Sequence, residues 1–279
     1  MRWFFLPIAV ALIGYGLLVG VLYLQQRNLL YRPSAVQPPL GRLAALGAYE
    51  ATLHTEDGLG LFCWYLPPPK GAPVVVYFHG NGGDVGYRAD RLWGLAEAGF
   101  GALMVEYRGY ADNPGAPTES GLLADARAAL AFLDAQRVAA DRRVLYGESL
   151  GTGIAVQIAA DHPIGALVLE APYTSISDVA QYHYPWVPVH WLLHDKFNAL
   201  AAIGRIKAPI LFLYAENDRV VPSRFTRALY VAAPEPKEAW SVASGDHQDI
   251  GRLGGLEAAI GFVRRRFGAR VIDQAASDG

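Results

Sequence analysis

The sequence predicts an α/β fold: a mostly parallel sheet with helices on both faces, entered through an antiparallel hairpin and preceded by one membrane-spanning helix. Three observations point to it. Short apolar runs, VVVYF (Val74 to Phe78), ALMVE (Ala102 to Glu106), RVLY (Arg143 to Tyr146), ALVLE (Ala166 to Glu170) and ILFLY (Ile210 to Tyr214), alternate with longer stretches of helical spacing. Apolar strands alternating with helices require a sheet covered on both sides and joined by right-handed crossovers. Ahead of them, YEATLHT and LGLFCWYL flank the turn residues Glu56-Asp57-Gly58, the pattern of a hairpin. The chain also begins with a long uncharged segment, and its 279 residues are enough for one α/β domain besides that segment.

Trp3 to Leu24 holds 22 residues without a charge, and as a helix it would span about 33 Å, the thickness of a bilayer core. A cleaved signal peptide would carry a shorter apolar region ending in a small-residue site. Trp3 and Tyr23 suit the two interfacial belts, while Arg2 on one flank and Arg27 and Arg32 on the other leave the positive-inside balance nearly tied. Residues 1–27 thus read as the anchor. Residues 28–48, with Pro33, Pro38, Pro39 and Gly41, read as a neck. The α/β domain follows over 49–267, and 268–279 read as a frayed tail. The clearest helix is TESGLLADARAALAFLDAQ, with Thr118 as N-cap and Leu122, Leu123, Ala126, Leu130 and Leu133 on one face. An aromatic insert at about 173–202 carries Tyr182, Tyr184, Trp186, Trp191 and Phe197, and reads either as a lid or as a packed peripheral helix pair.

Composition narrows the function. With 52% hydrophobic and 18% charged residues, the chain is more apolar than an average soluble domain. Its formal net charge is −2, and no Lys/Arg run interleaves with aromatics, so a nucleic-acid partner is not expected. Cys63 is the only cysteine, which rules out an internal disulfide and a Cys-based zinc cluster. Within LGLFCWYL it reads as a buried, inert thiol.

Ligands of open parallel sheets collect beyond the carboxyl ends of the strands. There, Gly147-Glu148-Ser149-Leu150-Gly151 follows RVLY and precedes the helix-like GIAVQIAA, so it fits G-x-S-x-G in a strand-turn-helix context. Exposing Ser149 at the apex of so sharp a turn brings strand and helix almost into collision, and glycine two residues to either side removes the clashing side chains. A Gly/Ser turn without chemistry is the competing reading. The two differ in what must come later, because a serine hydroxyl needs a base, and the base an orienting acid. In this architecture the acid and then the histidine stand beyond late strands. Asp218 lies in AENDRVVP beyond ILFLY, and His247 in GDHQDI beyond AWSVAS. Asp246 and Asp249 share a loop with His247 and are poorly placed to orient it.

An oxyanion hole completes such a site. The backbone N–H of Leu150, at a helix start, is one expected donor; the N–H of Asn81, in His79-Gly80-Asn81-Gly82-Gly83, is the other. A dinucleotide fingerprint fails there because its third glycine would fall at Val85. His79 reads as a loop-stabilising residue. His190 and His194 are four apart but lack a zinc-protease glutamate and a third ligand, and read as insert or surface residues. Neither a metal nor an organic cofactor is expected.

On QRNLLYRP, FHGNGG, EYRGYADNPGAPTESGLLADARAAL, GESLG, ENDRVVP and GDHQD, the chain resembles the α/β-hydrolases, and within them the branch of membrane-anchored serine hydrolases described as serine-aminopeptidase-like or depalmitoylase-like. The resemblance covers the chain from anchor to last helix. It implies a serine hydrolase acting on a carboxylic ester or thioester of a small acyl or lipid-like substrate, with the bilayer as its other partner. Ala111 and Asn113 depart from a Gly-x-Ser expected after Arg108-Gly109-Tyr110, at what would be the pocket edge. A non-catalytic membrane-tethered scaffold and an amide or peptide hydrolase are the alternatives.

Overall fold

The computed structural model describes residues 2–277, with side chains over 6–268. The expected interfacial role of Trp3 falls outside the described side chains. Helix α1 (Arg2–Leu30) runs three residues past the expected end of the anchor, since no proline or glycine stops it before Pro33. Within Leu6–Leu30 an 18-residue stretch has a mean hydropathy of 2.2 and no fully buried residue; the helix is long and apolar enough to cross a membrane.

Eight strands form the sheet: β1 (Tyr49–His54), β2 (Gly60–Leu66), β3 (Val74–Phe78), β4 (Gly101–Val105), β5 (Arg143–Glu148), β6 (Ala166–Glu170), β7 (Ile210–Ala215) and β8 (Lys237–Val242). Their spatial order is β8-β7-β6-β5-β3-β4-β2-β1. The hairpin β1–β2 is antiparallel with His54 opposite Gly60, β2 adds antiparallel to β4, and every other pairing is parallel. Successive side chains of a strand point to opposite faces, so each apolar run supplies both layers. Val74, Val76 and Phe78 face one core, with Leu122, Ile154 and Leu229. Val75 and Tyr77 face the other, with Leu92 and Val263.

Helices α3 (Glu119–Ala135), α4 (Leu150–Asp161) and α8 (Ser223–Ala232) cover the first face. Helices α2 (Ala89–Glu97) and α9 (Leu256–Ser277) cover the second. Thr118 caps α3 as expected, its hydroxyl accepting from the N–H of Gly121. Cys63 is buried, and its thiol donates to the carbonyl of Ala51; burial pushes its pKa up. Backbone helix reaches Ser277, into the segment whose sequence reads as a tail; one glycine, Gly268, costs a helix only about 1 kcal/mol.

The neck lies along the body. Tyr31 and Leu43 are buried, and Arg32–Pro33 pairs with Gly82–Gly83 as a two-residue parallel bridge. The insert folds into three short helices, α5 (Ile176–His183), α6 (Val189–Leu192) and α7 (Ala199–Ile203), between β6 and β7.

Candidate active site

Strand β5 delivers the chain to Ser149, and α4 leaves from it. Ser149 has φ 50° and ψ −114°, a region that costs a side-chain-bearing residue of order 1–3 kcal/mol and persists only when its surroundings fix it. They do so here. Its N–H donates to the carbonyl of Glu170 at the end of β6 (2.8 Å). A Cβ on Gly147 would lie 2.6 Å from both the Gly151 carbonyl oxygen and the Thr152 Cα, and one on Gly151 would run into the Phe78 carbonyl. Both glycines of the pentapeptide are therefore steric requirements of the turn.

The structure brings Ser149, Asp218 and His247 together. His247 Nε2 stands 2.9 Å from Ser149 Oγ, and His247 Nδ1 stands 2.7 Å from Asp218 Oδ2. Asp218, in the loop after β7, is buried, and its Oδ1 accepts from the N–H groups of Val220 (2.8 Å) and Val221 (2.7 Å). His247, after β8, is held by Asp246, whose Oδ1 accepts from the backbone N–H of His247 and of Arg219. Asp246 thus fastens the acid loop to the histidine loop without touching the imidazole. Those backbone donors, with the Arg219 side chain, hold its carboxyl at about 2.

Burial opposes a charge on His247, but the hydrogen bond and charge of Asp218, reinforced by Glu148 and Glu170, outweigh it and raise the pKa above the ordinary 6.5. A hydroxyl bonded to an imidazole whose other nitrogen is held by a carboxylate is the arrangement that makes an alcohol nucleophilic.

Leu150 is the first residue of α4, so its N–H has no acceptor within the helix. Asn81 follows β3 and lines the same cavity as Ser149 and Leu150. Gly80 beside it comes so close to Ser149 that an added Cβ would lie 3.6 Å from the serine Cβ. The loop is anchored on all sides. Tyr110 Oη donates to the Asn81 carbonyl (2.8 Å), the N–H of Arg32 donates to the same oxygen (2.9 Å), and Asn81 Nδ2 donates to the carbonyl of Leu30 (2.8 Å).

Sequence reasoning missed the layer beneath the turn. Arg88 makes two hydrogen bonds to Glu148 (2.9 and 3.0 Å), and Tyr77 donates to it (2.8 Å). Burial works to protonate Glu148, but Arg88 and Arg91 overcome this and hold its carboxyl at about 2. Arg91 grips Glu170 with two bonds (2.7 and 2.8 Å), and Tyr146 donates to it as well. The residues involved stand 24 to 79 positions apart, and nothing local in the sequence marks them as partners.

The other histidines singled out in the sequence make no contact with Ser149, Asp218 or His247. His79 is buried against Glu106 (2.9 Å), supporting its loop as expected. His194 contacts Tyr23 Oη (2.9 Å) and His190 faces Asp178, and no cluster of metal-ligating side chains occurs among the described residues. Ala111 and Asn113 do not line the cavity. Asn113 instead accepts from the N–H of Phe62 (2.8 Å), so the departure from Gly-x-Ser shapes a turn rather than a pocket edge.

A cavity of about 600 Å³ opens above Ser149, within the size range of small-molecule sites. Its floor includes Ser149, Leu150, Asn81 and Tyr173; one wall is α1 and the other the insert. Its described lining residues include no carboxylate.

The strand order, the glycine-flanked turn after β5 and the loops beyond β7 and β8 define an α/β hydrolase, and the chain belongs to the α/β-hydrolase superfamily. A family model described as serine aminopeptidase, S33, matches residues 69–202. The chain is 38% identical over 259 residues to the uncharacterized protein Rv2307c of Mycobacterium tuberculosis, covering 92% of each. It is 30% identical to protein bem46 of Schizosaccharomyces pombe, over 77% of this chain and 76% of that one. It is 32% identical to the lysophosphatidylserine lipase ABHD12 of Danio rerio, over 66% of this chain and 58% of that one. Among solved structures, the Pyrococcus furiosus esterase Pf2001 superposes with a TM-score of 0.69 at 17% identity, over 85% of this chain and 98% of that one.

Proposed function

We propose that the protein is a membrane-anchored serine hydrolase that cleaves carboxylic esters of amphipathic, single-chain acyl compounds. The observation that carries this reading is the contact of His247 Nε2 with Ser149 Oγ on a serine held at positive φ. Ser149 Oγ attacks the acyl carbonyl while His247 Nε2 takes its proton, Asp218 orients the imidazole and offsets its charge, and the N–H groups of Leu150 and Asn81 bind the developing oxyanion. His247 then returns the proton to the departing alkoxide, and water, activated by the same imidazole, hydrolyses the acyl-enzyme.

An ester is favoured over a peptide by the walls of the cavity. Recognition of a free α-amine calls for a carboxylate, and the described lining has none. The lipase named among the relatives and the esterase named among the structural neighbours agree with this choice. Thioesters react by the same steps. The anchor role of α1 rests on its length and hydropathy.

A fluorophosphonate probe applied to the full-length protein in detergent should label Ser149 and hydrolysis of p-nitrophenyl butyrate should be measurable, with Ser149→Ala abolishing both. Turnover surviving in Ser149→Ala, or wild type that never labels, leaves the non-catalytic scaffold as the better account.

A further inference from the structure

An anchor needs only to be apolar. Helix α1 has more pattern than that. From Leu6 to Leu18 its side chains stand exposed, whereas Val19, Leu22, Gln26 and Leu30 are half-buried, a spacing that selects one face of a helix. That face closes one side of the cavity above Ser149, across from Ile176, Val179, Val187 and Leu192 of the insert.

The polar groups of this face are already committed. Gln26 Nε2 donates to the Tyr23 carbonyl (2.7 Å) and its Oε1 accepts from the N–H of His194 (2.8 Å). Tyr23 Oη contacts His194. Arg27 reaches away to Asp195 (2.8 Å). What faces the cavity is therefore hydrocarbon, held against the insert by polar ties at its margin. At the other end, Leu30 is fixed beside the reacting centre through the Asn81 amide.

We infer that the last three turns of α1 form the acyl-chain wall of the substrate pocket, with Leu22 and Val19 setting how long a chain is accepted. This rests on the serine-hydrolase reading of Ser149. From Leu30 back to Val19 the helix rises about 16 Å. Carbon–carbon bonds of about 1.5 Å advance an extended chain by roughly 1.3 Å each, so the wall matches about twelve carbons. Chains enter at the end of the wall away from Leu30, beside which Tyr15 Oη donates to the Trp186 carbonyl (2.7 Å) and so holds α1 against the insert.

The test uses the full chain in nanodiscs and the ratio of kcat/KM for p-nitrophenyl dodecanoate to that for the butyrate. Leu22→Trp and Val19→Trp fill the channel and should lower the ratio by about tenfold or more, while Leu22→Ala should move the preferred length upward. Leu24→Trp, at an exposed position that does not line the cavity, should leave the ratio within about twofold of wild type. Fluorophosphonate labelling of each variant reports an assembled site. A ratio unmoved in labelled Leu22→Trp, a preferred length unmoved in Leu22→Ala, or an equal fall in Leu24→Trp overturns the inference. Those outcomes leave the hydrolase reading intact as long as wild type labels at Ser149; loss of that labelling defeats the reading itself.

Discussion

At Ser149 a side chain stands where the backbone would ordinarily demand glycine, and two true glycines nearby make the contortion fit. Gly151→Ala would force α4 away from the Phe78 carbonyl. We expect it to destabilise the fold by about 3 kcal/mol or more, as overpacking against backbone does, read as a fall in chemical-denaturation midpoint. An alanine there that melts like wild type would mean that the turn is looser than described. The imidazole sets the pH response. In the proposed mechanism neutral His247 accepts the serine proton, and its pKa is raised above 6.5, so activity should fall as pH drops through a value above 6.5 and recover on the alkaline side. Asp218→Asn removes the hydrogen-bonded charge that raises it. The limb should then move to lower pH, with kcat down by roughly 10⁴-fold; a limb that stays in place would show that Asp218 does not govern the titration.

On the scale of elements, Asp195 is a buried carboxylate joining three of them. It accepts from Arg27 of α1 (2.8 Å) and from the N–H of Glu119 at the start of α3 (3.1 Å), and it sits in the insert between α6 and α7. Asp195→Ala should cost about 2 kcal/mol through the lost charge-assisted bonds and speed protease nicking between residues 184 and 194. Unchanged melting and unchanged nicking would remove this clamp from the account. The elements also differ in how readable they were. The hairpin around Asp57-Gly58, helix α3 with its Thr118 cap, and the parallel strands each announce themselves within a window of a few residues, because their cause is local: turn chemistry, capping, periodicity. The insert left two readings open, lid or packed helix pair, because its aromatics have no period. Its partner, α1, lies more than 160 positions away.

For the whole molecule, an apolar helix of 25 residues leads into a sheet whose carboxyl-end loops carry the site. If α1 spans a bilayer as proposed, the full chain should stay in the membrane pellet through an alkaline carbonate wash and leave it only with detergent. Release by carbonate, with residues 1–27 missing from the product, would identify a cleaved signal instead. The two-residue bridge of Arg32–Pro33 to Gly82–Gly83 couples this helix to the loop that carries Asn81, so α1 and the candidate site share one piece of backbone.

The sequence by itself determined the apolar strands, the hairpin entry and the sharp turn at Ser149, because each of these is imposed by neighbours along the chain. Only the tertiary structure decided that α1 walls the cavity, that Arg88 and Arg91 neutralise Glu148 and Glu170 beneath the turn, and that Asp246 ties two loops without touching the imidazole. Those contacts join residues far apart in the chain, and their energies arise from burial and charge pairing that exist only once the chain has folded.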